Sequence, residues 1–189
     1  MRRRLLVVAA IVLAGAGGVA GWFLGDAVQG AETETLTTTG TTVETETAAA
    51  PGLPAGVEEK RAALLAAAES GDYEALRPLF PTTGFEYTFG GAVPGGPIAY
   101  WKQVEQNTAD RPLETLAEIL KMPYTLSRGY YVWPFAYDVA SANDLSAHER
   151  ELLAPLGGLD TLFFEGTGYL GWRAGIDPNG IWAFYVAGD

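Results

Sequence analysis

The chain closes on YLGWRAGIDPNGIWAFYVAGD, residues 169–189, and this stretch predicts a β-hairpin. Its residues 177–180, Asp-Pro-Asn-Gly, place proline where a type I turn favours it and glycine where a positive φ is needed. If Asp177 faces Ile181, three apolar pairs share one face of the hairpin: Ile176 with Trp182, Ala174 with Phe184, and Trp172 with Val186. We therefore expect this face to pack against a hydrophobic core.

The same register leaves the opposite face of the hairpin almost bare. It pairs Gly175 with Ala183, Arg173 with Tyr185, and Gly171 with Ala187. Small side chains of this kind permit close approach by a helix or a ligand. Arg173 could stack over Tyr185, pair with a carboxylate such as Glu86, or bind an anionic ligand. Arg173, Tyr185 and Glu86 are thus the candidate ligand-binding residues.

The sequence before the hairpin alternates between helical and extended patterns. Helices are predicted over residues 57–70, 73–80, 98–107, 113–121 and 146–156. Strands are predicted over residues 85–90 and 130–138. This order predicts an α+β domain in which several helices pack on a mostly antiparallel, curved sheet that ends in the C-terminal hairpin.

Local signals support several of these boundaries. Gly71 is expected to end the first helix, Asp72 and Asp110 are expected to cap the next helices, and Ser146 with Glu149 has the spacing of a capping box. Pro134 cannot donate a ladder hydrogen bond, so we expect it at an edge or a bulge.

Two stretches of this domain resemble motifs of an uncharacterised family of bacterial exported or membrane-anchored proteins. They are YYVWPFA, residues 130–136, and GIDPNGIWAFYVAGD, residues 175–189. The similarity covers most of residues 57–189 and implies no activity.

A looser resemblance is to NTF2-like cone folds, in which a helix ending in a Gly-Asp turn precedes a second helix. Gly71 and Asp72 form such a turn here. The resemblance implies a curved antiparallel sheet that wraps a helix around a pocket. The helices at 113–121 and 146–156 depart from the usual cone order, and the catalytic histidine and aspartate of the enzymatic members have no clear counterpart.

The composition excludes several classes of function. The chain has 12 basic and 23 acidic residues among 189, which gives a formal net charge of −11. Nucleic-acid binding needs a basic surface that releases counterions, and none is visible, so we expect no nucleic-acid partner. Absence of cysteine excludes disulfides, thiolate nucleophiles and cysteine-ligated metals.

The N-terminal segment, residues 1–30, has the pattern of a membrane anchor. Three arginines precede residues 5–25, which carry no charge and are long enough to cross a bilayer as a helix. The arginines should stay in the cytoplasm, which places the rest of the chain outside it. The alternative is a cleaved secretory signal, and the remainder is then secreted. Gly17, Gly21 and Gly25 lie four residues apart, a spacing that could support a weak homodimer.

Residues 31–56 form a predicted disordered linker, because nine threonines and four glutamates leave nothing to bury. Residues 57–189 then form a single domain outside the cytoplasm. We expect it to bind a small molecule, a glycan or a protein without catalysis. The alternative is an enzyme, either a carboxylate-dependent hydrolase or an NTF2-like enzyme with a cone-shaped pocket.

Known catalytic and cofactor motifs are missing from the sequence. His148 lacks the second histidine of a zinc H-E-x-x-H site and a G-x-S-x-G elbow to act with. No phosphate-binding or dinucleotide-binding fingerprint occurs. The sequence therefore predicts no cofactor, no metal and no catalytic residue.

Overall fold

Helices and an antiparallel sheet make up residues 52–188, the part of the chain that the computed structural model describes. The α-helices there are α1 (Ala55–Glu69), α2 (Gly96–Asn107), α3 (Pro112–Lys121), α4 (Ala147–Leu153) and α5 (Leu159–Leu162). The strands are β1 (Thr125–Ser127), β2 (Tyr130–Trp133), β3 (Phe163–Phe164), β4 (Gly168–Tyr169), β5 (Arg173–Ile176) and β6 (Trp182–Val186). Short 3-10 helices cover Tyr73–Leu79, Phe135–Asp138, Ala142–Asp144 and Ala154–Leu156. The predicted α+β class is confirmed.

The main sheet has four strands in the order β1-β2-β5-β6, and every neighbouring pair is antiparallel. Strands β3 and β4 form a separate two-stranded sheet. Antiparallel neighbours let one face of a sheet pack on helices while the other face remains open. Here α1 and α3 pack together, and α3 also packs against β5.

The helix signals in the sequence are largely confirmed. Gly71 follows α1 with a φ of 72°, and the Asp72 side chain accepts a hydrogen bond from the Glu74 N–H at 2.9 Å. Ser146 and Glu149 form the predicted capping box, in which each side chain accepts from the other residue's backbone N–H.

The predicted cap at Asp110 is wrong. Pro112 occupies the first turn of α3 as expected, and this places Arg111 at the capping position without a side-chain hydrogen bond. Asp110 instead donates its backbone N–H to the Thr108 hydroxyl at 3.0 Å, in the loop before the helix. The predicted apolar stripe of α3 is buried throughout, at Leu113, Leu116, Ala117 and Leu120.

Two strand predictions need correction. Residues 85–90 form no strand, only a single parallel bridge between Glu86 and Phe184, and glycines with positive φ, Gly84 and Gly91, bound the segment on both sides. Strand β2 ends at Trp133, and Pro134 leads into a 3-10 helix. Proline has no N–H to donate, so a strand that lies between β1 and β5 ends before it rather than continuing through it.

The predicted register of the terminal hairpin is right at the turn and wrong beyond it. Ile176 pairs with Trp182, as expected, but a register shift follows, and Gly175 pairs with Phe184. Ala183 is therefore the extra residue of a β-bulge. Beyond this bulge the residues of β6 exchange their predicted faces while those of β5 keep theirs, so that Ala174 pairs with Tyr185 and Arg173 with Val186.

The inner face of the sheet carries the core. Its fully buried large side chains include Trp133, Trp182 and Tyr185, and Trp101 of α2 packs against them. Tyr185 donates its hydroxyl to the Pro112 carbonyl oxygen at 2.6 Å. Burial raises its pKa well above the ordinary value, so this hydroxyl stays protonated.

The start of α1 packs on the hairpin turn. Ala55 and Gly56, which the sequence placed in the linker, form its first turn. A Cβ atom on Gly180 would lie 2.5 Å from the Gly56 carbonyl oxygen, so the turn needs glycine for space as well as for its φ of 81°.

The predicted membrane segment at residues 5–25 and the linker up to residue 51 lie outside the described residues, as does the glycine face at Gly17, Gly21 and Gly25. Across residues 52–188, no helix combines the length and the apolar character needed to cross a membrane.

Candidate functional site

The candidate site lies on the outer face of the four-stranded sheet. Alternation along the strands places Val132, Gly175 and Phe184 side by side on this face, because each is the direct partner of the next. Arg173 stands two residues from Gly175 and shares its face. The bulge at Ala183 is what turns Phe184 outward and Tyr185 inward.

Phe184 covers Gly175. A Cβ atom placed on Gly175 would lie 2.1 Å from the Phe184 Cε1 atom, so only glycine leaves room for the ring. Tyr130 meets the same ring edge-on, with centroids 5.7 Å apart at 71°. The outer face therefore has an aromatic floor, where the predicted register placed Arg173 and Tyr185 among small residues.

Arg173 is buried beside this floor, with 9% of its surface exposed. Its guanidinium donates to the carbonyl oxygens of Gly188 at 2.5 Å and Gly171 at 3.3 Å. The rings of Phe89 and Tyr137 lie 5.4 and 5.7 Å from its Cζ atom. These contacts offset the cost of removing a cation from water, and they fix two aromatic rings around it.

A cleft of about 360 Å³ opens over these residues, and we call it the outer cleft. Phe89 stands in it with 55% of its surface exposed. The cleft is lined by Gly84, Glu86, Phe89, Ser127, Arg128, Tyr130, Val132, Tyr137, Arg173, Ala183 and Phe184. The structure thus brings Arg173 and Glu86 to one cleft and places Tyr185, the third candidate, on the opposite face in the core.

Arg128 is the second cation of the outer cleft. It forms the turn between β1 and β2 with Gly129, and the φ angles are 51° and 86°. Two positive φ angles define a type I′ turn, which favours Asn and Gly and disfavours arginine at its first position. Within residues 52–188, Arg128 makes no hydrogen bond and no ion pair, whereas each of the other arginines there makes at least one.

The charge of the outer cleft differs from that of the domain. Residues 57–189 hold 18 acidic and 9 basic residues. Among the described residues, Arg128 and Arg173 line the outer cleft together with the carboxylate of Glu86. The exposed cation of Arg128 attracts an anion to a surface that otherwise repels it.

Sequence reasoning missed most of the residues in this cleft. Phe184 depends on a one-residue bulge that the alternating pattern hides. Phe89 and Tyr137 reach Arg173 from segments distant in the chain. Arg128 did carry a signal, since the Arg-Gly pair directly before the aromatic run at 130–133 fits a tight turn.

Other features of the described residues favour no second site. A cleft of about 450 Å³ lies against α3, and its charged residues are Asp110, Arg111, Glu114 and Glu118. Glu114 and Glu118 lie four residues apart on one face of α3, and Asp110 precedes the helix, an arrangement typical of a solvated surface. His148 is exposed on α4. No group of three His, Cys, Asp or Glu residues between 52 and 188 could hold a metal ion.

Comparison with known proteins finds no matching family model, no matching curated protein and no matching solved structure.

Proposed function

We propose that this protein is a membrane-tethered binding domain outside the cytoplasm, and that it takes an anionic ligand in the outer cleft without catalysing a reaction. The tether is the segment at residues 5–25, and the resemblance to exported proteins agrees with it. The ligand class follows from Arg128 and the aromatic walls of the cleft.

Arg128 is the observation that carries the proposal. Its left-handed backbone costs about 1 kcal/mol for a residue other than glycine. Strain of this kind persists where the surrounding structure enforces it, and it is concentrated at ligand-binding and catalytic sites. The guanidinium is exposed and has no partner among the described residues, so its donors can bind a carboxylate or phosphate in two parallel hydrogen bonds.

The aromatic walls provide the second part of the recognition. Phe89, Tyr130 and Tyr137 offer apolar surface around the cations. Ligand clefts are usually lined by apolar and aromatic groups, with few polar groups that fix the orientation. Arg173 holds Phe89 and Tyr137 in place before a ligand arrives, which lowers the entropy cost of binding.

The lining of the outer cleft favours binding over catalysis. Among the described residues that line it, Glu86 is the only carboxylate, and none is a histidine or a cysteine. General acid–base hydrolysis uses two positioned groups, one to donate a proton and one to activate water or attack. The hydrolase alternative would require hydrolysis that Glu86→Gln abolishes.

A thermal-shift and calorimetric screen of the full-length chain tests the binding proposal. We expect a small carboxylate from a panel of monocarboxylates, dicarboxylates and sugar acids to raise the melting temperature. Arg128→Asn should weaken its affinity about tenfold, which corresponds to about 1.4 kcal/mol. Arg77→Gln is the matched control, because Arg77 is an exposed arginine outside the cleft and its loss should leave affinity unchanged.

The proposal fails if no anion in the panel stabilises the chain, or if both arginine variants bind equally well. The tether is tested separately by fusing a reporter enzyme that is active only outside the cytoplasm to the C-terminus. We expect reporter activity in the membrane fraction, and deletion of residues 1–30 should abolish it. Activity in the soluble external fraction would instead support signal cleavage.

A further inference from the structure

The outer cleft adjoins a second cleft on the same side of the sheet. The second cleft, of about 280 Å³, is lined by Ser127, Arg128, Tyr137, Asp138, Thr167, Tyr169, Leu170 and Arg173. Ser127, Arg128, Tyr137 and Arg173 line both clefts. The two clefts therefore form one groove with these four residues at its junction, and a ligand longer than one small molecule can occupy it.

The charges along this groove are arranged in a definite order. Arg128 lies at the junction of the two clefts. Glu86 lines the outer cleft but not the second, and Asp138 lines the second cleft but not the outer one. Asp138 accepts a hydrogen bond from the Thr125 hydroxyl at 2.9 Å. A polymeric ligand with an anion on every unit would meet a carboxylate in each cleft and be repelled there. A ligand with one central anion and uncharged units on either side would not be repelled.

The uncharged walls of the groove suit sugars. Phe89, Tyr130 and Tyr137 present ring surfaces that can cover the apolar C–H face of a pyranose. Glu86 and Asp138 can accept hydrogen bonds from sugar hydroxyls, and Thr167 can donate or accept. The carboxylates that repel a polyanion are thus useful partners for a polyol.

We propose that the groove binds an oligosaccharide in which a uronic acid lies over Arg128 and uncharged sugars occupy the two clefts. This inference rests on the proposed function, because it names the ligand class of the same site. The acidic sugar pairs its carboxylate with the Arg128 guanidinium, and the flanking sugars pack on Phe89 in the outer cleft and on Thr167 in the second cleft.

The test uses the full-length chain and a trisaccharide probe, in which glucuronic acid lies between two N-acetylglucosamine units. Glucuronic acid alone and the uncharged N-acetylglucosamine trisaccharide are the comparison ligands. By calorimetry, we expect the acidic trisaccharide to bind about tenfold more tightly than glucuronic acid, because each flanking sugar adds buried surface. A densely sulfated oligosaccharide of the same length should bind more weakly than the acidic trisaccharide.

Three variants assign the contacts. Arg128→Asn should weaken the binding of glucuronic acid and of the acidic trisaccharide by the same factor. Thr167→Ala should weaken binding of the trisaccharide about fivefold and leave binding of glucuronic acid unchanged, because Thr167 lines only the second cleft. Phe89→Ala should weaken binding of the trisaccharide more than binding of glucuronic acid, because it removes the surface on which a flanking sugar packs. Phe164→Ala is the matched control for Phe89→Ala, since Phe164 is 66% exposed and lines neither cleft of the groove. Melting temperatures measured without ligand verify that each variant is folded.

The outcomes separate this inference from the proposed function. If glucuronic acid binds through Arg128 but the trisaccharide binds no more tightly, the groove does not bind a glycan chain and the proposed small-anion site stands. If an acidic peptide gains affinity from Phe89 and Thr167 while the trisaccharide does not, the ligand is a peptide and the glycan inference is overturned. If no anion binds through Arg128, both proposals fail.

Discussion

The two faces of the main sheet are built from the same strands and follow different rules. The inner face buries Trp133, Trp182 and Tyr185 completely. The outer face carries Phe184 over Gly175, a buried Arg173 and an open cleft. A face that fills a core is constrained by the volume of all its neighbours, whereas a face that lines a cleft is constrained only where side chains touch.

The boundary between these faces depends on one residue. The bulge at Ala183 sends Phe184 to the cleft and Tyr185 to the core. A strand without this bulge would exchange both side chains, because the two faces of a strand alternate with a period of two. The difference between the two faces thus depends on the bulged register between β5 and β6, and substitutions on each face can test it.

The largest expected effect comes from emptying the inner face. Trp182→Ala should lower the free energy of unfolding by about 3–5 kcal/mol, because a fully buried ring would leave a cavity. Phe184→Ala should cost only about 1 kcal/mol, since the ring is half-buried at a cleft. Urea unfolding of both variants measures the contrast, and equal losses would show that the two faces are packed alike.

A smaller effect should identify the contact between Gly175 and Phe184. Gly175→Ala should cost about 1–3 kcal/mol, because the new methyl group displaces the ring. In a Phe184→Ala background the same substitution should be neutral or slightly stabilising, since alanine is the better strand residue. A double-mutant cycle measures this coupling. An identical cost in both backgrounds would place Phe184 elsewhere and refute the bulged register.

The dependence of stability on alkaline pH tests the burial of Tyr185. Burial raises its folded-state pKa above the ordinary value of 10.0, and the same cause raises the pKa of Tyr169. The unfolded chain therefore loses these protons at a lower pH than the folded chain does. The contribution of the two tyrosines to the free energy of unfolding is fully present below about pH 10 and is lost as the pH rises further. Tyr185→Phe should cost about 1 kcal/mol at neutral pH through the lost hydrogen bond to Pro112, and its stability should fall less steeply above pH 10. An unchanged slope would mean that Tyr185 is not buried.

The smallest effect is expected at Arg128, with the opposite sign. Arg128→Asn should raise stability by about 0.5 kcal/mol, because asparagine tolerates a positive φ better than arginine does. Gly129→Ala should lower it by about 1 kcal/mol, since its φ of 86° suits glycine. The urea midpoints of the two variants measure how each substitution in this turn changes stability. A loss of stability in Arg128→Asn would show that the arginine serves the fold, and would weaken the case for a ligand there.

Local chemistry explains which parts of the fold could be predicted. The capping box at Ser146 and Glu149, the turn at 177–180 and the apolar stripe of α3 each depend on residues within a few positions of one another. The candidate site was only partly predictable. Arg173 and Glu86 were selected from the sequence and do line one cleft, while Phe89, Arg128 and Tyr137 join them through long-range packing.

The sequence by itself determined the α+β class, the helix boundaries signalled by Gly71 and Ser146, and the pairing of Ile176 with Trp182 next to the turn. Tertiary structure alone decided which aromatic of the last strand joins the core. Periodicity assigns both Phe184 and Tyr185 to a strand, but it cannot locate an extra residue within that strand. The bulge at Ala183 does so because Tyr185 can reach the Pro112 carbonyl from the inner face, while Gly175 leaves space for Phe184 on the outer one.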